Sequence, residues 1–103
     1  MNEKNLIIDS LCEYLQRYHK GASEAVSSKE LEAVFHLKGT ELRHIINTLR
    51  CNGIPICSDR NGYYYADTDY DIKHTISQLN SRIVKMAKAK KGLCSSLEEK
   101  PNE

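Results

Sequence analysis

The sequence predicts a mainly α fold with a small β-hairpin and an additional long C-terminal helix, and three observations carry that expectation. Three stretches before Cys51 repeat apolar residues at the three-and-four spacing of a helix face. "IPICSDRNGYYYA", residues 54–66, then changes to strand-forming residues around an Asn-Gly pair. Beyond Thr68 the helical spacing returns and persists to Leu93.

The elements follow in order. "EKNLIIDSLCEYLQRYHKG" places Ile8, Leu11, Leu15 and Tyr18 on one helical face, with Gly21 available to stop the helix. A capping box follows: Ser27 can accept from the amide of Glu30 while Glu30 reaches back to the Ser27 amide. Behind it Leu31, Val34 and Phe35 form the apolar face of a short second helix. Thr40 is expected to cap a third helix with a buried stripe of Leu42, Ile45, Ile46 and Leu49, ended by Asn52-Gly53. Pro55 bars helix continuation and suits the start of an edge strand. Asn61-Gly62 predicts a type I′ turn, which sets Arg60 opposite Tyr63 and Ser58 opposite Tyr65. Alternation then puts Tyr63 and Tyr65 on one face, with Tyr65 packed on Ile56 or Ile54 and Tyr64 exposed on the other.

Size and composition bound the function. A chain of 103 residues holds one domain, and 40% hydrophobic with 28% charged residues is the balance of a folded globular chain. Formal net charge is only +1, so basicity must be local. Residues 1–35 carry six acidic and four basic side chains; residues 36–66 reverse this to two and four. Arg82 to Lys91 holds five basic residues and no acidic one, a distribution compatible with a polyanionic partner or with solvated helix faces. No apolar run approaches a membrane span, and "MNEKNLIIDS" lacks the basic start and apolar run of a signal peptide, so a cytoplasmic protein with no membrane partner is expected. Cys12, Cys51, Cys57 and Cys94 are scattered without a paired motif. His19, His36, His44 and His74 form no ligand cluster, so neither metal nor cofactor is expected. Cys12, Cys51 and Cys57 read as small apolar residues. The absence of a nucleophile, base and orienting group in any recognisable pattern argues against an enzyme.

Three helices followed by a two-stranded ribbon is the order of a winged helix-turn-helix. "SSKELEAVFHLKGTELRHIINTLRCNGIPICSDRNGYYYA", residues 27–66, resembles the N-terminal DNA-binding domain of biotin-repressor-type proteins and small winged-helix proteins of bacteria and phages. Leu31 with Phe35, the Leu42, Ile46 and Leu49-Arg50 run, Gly53, "IPICS" and "GYYYA" carry the likeness. Where those families commonly read Gly, apolar, Ser before the third helix, this chain reads His36, Leu37, Lys38; their biotin ligase domain is absent. The resemblance implies a DNA-binding unit over residues 1–66; beyond it the residue pattern predicts a C-terminal helix over 67–93, a dimerisation element, and a disordered tail over 94–103.

On that reading the third helix meets double-stranded DNA. Its buried stripe leaves Thr40, Glu41, Arg43, His44, Asn47 and Thr48 facing outward, with Thr40, Arg43, His44 and Asn47 close enough to enter a major groove together. Arg43 suits guanine and Asn47 adenine. Lys38, Thr40 and the first helical amides are expected to hold phosphates, and Arg60 at the hairpin tip to reach flanking backbone or minor groove. In the last helix Ile72, Ile76, Leu79, Ile83 and Met86 follow a heptad seam that Leu93 continues and Lys90 interrupts. That seam either pairs two chains into a homodimer or folds back on Leu11 and Leu15. The expected function is sequence-specific DNA binding, in transcriptional regulation or in a phage or mobile element. The alternative is a winged helix used as a protein-interaction module in a replication or assembly complex.

Overall fold

The computed structural model describes residues 3–98. Among them lie α1 Glu3–Tyr18, α2 Ser28–Phe35, α3 Gly39–Cys51, β1 Ile56–Asp59, β2 Gly62–Tyr65 and α4 Asp69–Glu98, with a short 3-10 turn at Ala22–Glu24. The protein is therefore mainly helical, with one antiparallel hairpin.

The apolar stripes of α1, α2 and α3 converge on one core. Leu11, Leu15, Leu31, Leu42, Ile45, Ile46 and Leu49 are buried together with Val26 and Ile56. Tyr18 and Val34, expected on the inward faces, are instead 57% and 45% exposed. Tyr14 packs edge-on against Phe35 with ring centroids 5.4 Å apart, which closes the core on that side and leaves the other two outside. Cys51, read as an apolar residue, is also exposed, at the very end of α3.

The helix ends show which local signals acted. Ser27 caps α2, its Oγ accepting from the Glu30 amide at 3.1 Å. At its other end His36 adopts the left-handed conformation, with φ 54° and ψ 47°, so a histidine makes the turn for which glycine is the usual residue. Helix α3 starts two positions earlier than a Thr40 cap would have set it. Lys38 is the cap, Gly39 is the first helical residue, and the Lys38 amide donates to Glu41 Oε1 at 2.9 Å. A lysine side chain cannot accept a hydrogen bond, so Glu41 reaching back supplies the capping interaction and Thr40 is left exposed. At the far end Gly53, at φ +83°, donates to Arg50 O and Ile54 donates to Leu49 O, both at 3.0 Å, which closes the helix in a Schellman turn.

The hairpin turns one residue earlier in the chain than the Asn61-Gly62 pair implied. Ser58 faces Tyr63, Ile56 faces Tyr65 and Asp59 faces Gly62, so Arg60 and Asn61 make the turn. Asp59 Oδ1 accepts from the Asn61 amide at 2.8 Å and holds that bend. Gly62, at φ +133°, answers a different demand: a Cβ there would strike the Val26 carbonyl. Val26 exchanges hydrogen bonds of 2.9 and 2.8 Å with Tyr63, while Tyr65 accepts from Gly21 and donates to His19, each at 2.8 Å. The segment between α1 and α2 thus covers the free edge of β2.

A register change that preserves pairing parity leaves each side chain on its expected face, yet the burial of the tyrosines is reversed. Tyr64, expected to be exposed, is 2% exposed, whereas Tyr63 and Tyr65 are half-buried against the helical core. The cause is α4. It lies over the outer face of the hairpin and encloses Tyr64, Cys57 and Ala66 with Ile72, and its Thr75 Oγ1 accepts from the Ser58 amide at 3.3 Å.

Thr68 starts α4: its Oγ1 accepts from the Asp71 amide at 3.3 Å, and Asp71 Oδ2 accepts from the Thr68 and Asp67 amides at 3.2 and 3.0 Å. The helix continues to Glu98, so residues 94–98 of the expected tail are helical, and 99–103 lie outside the described residues. Thirty residues span about 45 Å, against molecular extents of 61 × 33 × 23 Å. Residues 80–94 are all exposed, so the helix does not fold back on Leu11 and Leu15. No helix among the described residues is long and apolar enough to cross a membrane.

Candidate nucleic-acid interface

Burial of Leu42, Ile45, Ile46 and Leu49 turns the opposite side of α3 outward. Thr40, Glu41, Arg43, His44 and Asn47 are all exposed there, as their spacing required. Thr48 is half-buried and its hydroxyl donates to His44 O at 2.9 Å, so it is occupied within the helix. Glu41, the one acidic residue of the stripe, is engaged by the Lys38 amide. The Arg43 guanidinium and the Glu32 carboxylate both lie over Gly39, near 3.4 and 3.5 Å from where a Cβ would stand. Lys38 is exposed beside them.

A second polar feature lies at the hairpin. Arg60 is exposed at the turn and lines a cavity of about 320 Å³ together with Arg50 of α3, Arg82 of α4 and Ser27 and Ser28 at the start of α2. An adjoining cavity of about 430 Å³ adds Lys85 to Arg60 and Arg82. Three guanidiniums from three elements thus meet at the start of a fourth, whose first amides point outward with the positive end of its dipole.

Arg50 anchors this arrangement. Its Nε donates to Ile56 O at 2.7 Å and its Nη2 to Ser58 Oγ at 3.1 Å, tying the end of α3 to β1. Burial lowers its pKa, and the positive charge of Arg82 lowers it further, while Tyr63 and Cys57 act the other way. No carboxylate is among the charges acting on it. An arginine pKa starts so high that the group keeps its charge, and with Asp59 the one carboxylate lining the cavity beside three guanidiniums, positive charge is in excess there.

Of the residues singled out from sequence, the structure groups Thr40, Arg43, His44 and Asn47 on one helix stripe and puts Arg60 in a cationic cleft. Arg50, Arg82 and Lys85 were missed as members of that cleft. The basic run from Arg82 to Lys91 was visible, but nothing in it says which side of α4 faces the hairpin. Ile72 and Leu79 of the heptad seam are half-buried, Ile72 against Tyr64 and Leu79 beside an apolar cavity. Ile76, Ile83 and Met86 are 50%, 61% and 71% exposed. No group of three or more His, Cys, Asp or Glu among the described residues is placed to hold a metal.

Fold and site together define a small helical protein in which a hairpin edges a cationic cleft beside an exposed polar helix stripe. No protein-family model matches the chain, and no curated protein or solved structure matches it.

Proposed function

We propose that the protein is a winged-helix DNA-binding protein that acts as a homodimer, in transcriptional regulation or in a phage or mobile element. The observation that carries this reading is the cleft in which Arg50, Arg60 and Arg82 converge at the hairpin turn and the start of α2. Such a site fits a phosphate of a nucleic-acid backbone, because three guanidiniums outnumber the one carboxylate, Asp59, and helix-start amides also favour an anion. The order of elements supports the winged-helix assignment, and so does the pairing of Val26 with Tyr63, which adds a third short partner to the hairpin. Within that framework α3 is the groove-reading helix. Arg43 and Asn47 supply base contacts, Thr40 and His44 flank them, and Lys38 with the first amides of α3 holds phosphate.

The exposed half of α4 joins two copies, so that two α3 helices meet a two-fold site. Titration of random and selected duplexes across salt concentrations tests the function. Several phosphate contacts predict that log affinity falls steeply and linearly with log salt. A flat dependence, or no binding to duplex at low salt, refutes it.

A second reading is favoured by one observation. Tyr14, Tyr18, Val34 and Phe35 line an open cavity of about 340 Å³ on the α1–α2 face, which shares no lining residue with the arginine cleft, and Tyr18 and Val34 are exposed. Such a patch suits a protein partner. A protein-interaction module in a replication or assembly complex predicts that Val34→Asp abolishes function while duplex binding is unaffected.

A further inference from the structure

The free half of α4 carries enough pattern to orient a second copy. Ile76, Ile83, Lys90 and Leu97 recur at every seventh residue, and so do Ile72, Leu79, Met86 and Leu93, which together make a two-position seam. Within the seam Ile83, Met86, Leu93 and Leu97 are 61% to 71% exposed. Leu97 belongs to it because the helix continues to Glu98. Before Leu79 the seam is committed to its own chain, since Ile72 packs on Tyr64, Cys57 and Ala66.

Resting on the dimer reading above, we propose that α4 pairs antiparallel with α4 of a second copy, centred near Lys88. In this register Ile83 meets the partner's Leu93, Met86 meets the partner's Lys90, and Leu79 meets the partner's Leu97. Three independent features select it. First, a parallel in-register pair would stack Lys90 on the partner's Lys90 inside the seam, whereas the antiparallel pair sets each lysine beside a methionine along which its stem can lie. Second, Ala87 and Ala89 flank the seam on either side of Lys88. Antiparallel pairing brings each alanine near its own copy at the two-fold axis, where small side chains let the helices approach closely. Third, an apolar cavity of about 280 Å³ lies where the body meets the seam, lined by Ile54, Pro55, Ile72, Ile76 and Leu79. The partner's Leu97, opposite Leu79, arrives at that cavity. A parallel partner would have to run on alongside residues 72–79, where the hairpin already lies.

The arrangement also sets the distance between the two bodies. Ile76 lies twelve residues from the two-fold axis, so the two copies of Ile76 are about 36 Å apart along the helix pair.

Charge reversal at Met86 tests the pairing by sedimentation equilibrium of the full chain. Met86→Glu faces the partner's Lys90 in the antiparallel pair and should keep the dimer, whereas Met86→Lys should weaken it by on the order of tenfold or more relative to Met86→Glu. In a parallel pair the introduced carboxylate or ammonium would face its own copy, and both variants would dissociate alike. Cysteine pairing gives a second readout, with exposed Cys51 and Cys94 replaced by serine and dimerisation of each variant checked under reducing conditions. A mixture of Ile83→Cys and Leu93→Cys chains should form only the mixed disulfide on oxidation, because only that pair comes within the ~4.4–6.8 Å Cα range a disulfide needs. Self-linked Ile83→Cys overturns the antiparallel arrangement, and a dimer linked by neither route overturns the register. A monomeric wild type overturns the dimer reading beneath it.

Discussion

Arg43 and Asn47 stand one turn apart on the exposed stripe of α3, and each side chain has the donors to read a different base. Arg43→Ala should cost about 1–3 kcal/mol on a selected site and almost nothing on random duplex, measured by fluorescence anisotropy. Equal loss on every sequence would instead make Arg43 a phosphate contact. Arg60 and Arg82 should behave in the opposite way. Alanine at either position should weaken binding to all duplexes and reduce the slope of log affinity against log salt by about one unit. Arg82 is the sharper test, because it joins the cleft from α4 and contributes nothing to the exposed stripe of α3. At Tyr64 the expected effect is on stability. Burial raises its phenol pKa, with the negative charges of Cys57, Asp71 and Asp59 adding to it, and burial likewise raises the Cys57 thiol. A raised pKa on an acid means that the folded state holds its proton longer than the unfolded chain. The contribution is therefore complete below the unfolded-state pKa and is lost as pH rises through the folded one. Denaturant melts from about pH 8 to 11 should show this decline, and Tyr64→Phe should flatten the part that lies above about pH 10.

At the scale of elements, the helices were legible because period and capping agree. Leu42, Ile45, Ile46 and Leu49 recur at helical spacing and all four are buried. The hairpin was legible as a hairpin but not in register. Asn61-Gly62 is the commonest signal for a two-residue turn, yet Gly62 is held by the close passage of Val26 from a segment with too few residues to advertise a strand. The helix-to-helix turn at His36 offers a direct test of local strain. A left-handed conformation costs a residue with a Cβ about 1–2 kcal/mol, and glycine returns about 0.4–1 kcal/mol of that through its freer unfolded chain. His36→Gly should therefore stabilise the protein by up to about 1 kcal/mol, read as a rise in Tm, and leave DNA affinity unchanged. A fall in Tm would mean that the imidazole makes compensating contacts.

For the whole molecule the informative feature is α4, which serves its own chain with one half and faces solvent with the other. Ile83 is 61% exposed, so Ile83→Glu should leave the melting temperature of the folded chain nearly unchanged while sedimentation reports a monomer. Affinity for a two-fold DNA site should then fall by roughly 10²-fold or more, since the second half-site loses its effective concentration, and affinity for a single half-site should hold. Loss of folding in Ile83→Glu would instead require contacts that its exposure does not provide.

The sequence by itself determined the local elements: the helical stripes, the end of α3 at Gly53, the existence of a hairpin and the seam of α4. Each depends on residues within a few positions of one another, where a period of 3.6 or 2 and a turn residue suffice. Only the tertiary structure decided that Tyr64 is core and that Arg50, Arg60 and Arg82 share a cleft. Tyr64 alternates like an exposed strand residue and becomes buried because α4 docks on its face of the hairpin. Arg82 reaches Arg60 only because Ile72 and Thr75 fix the rotation of α4 against β1. Such facts are set by packing between elements distant in the chain, and no local period encodes which face of one helix meets which face of a sheet.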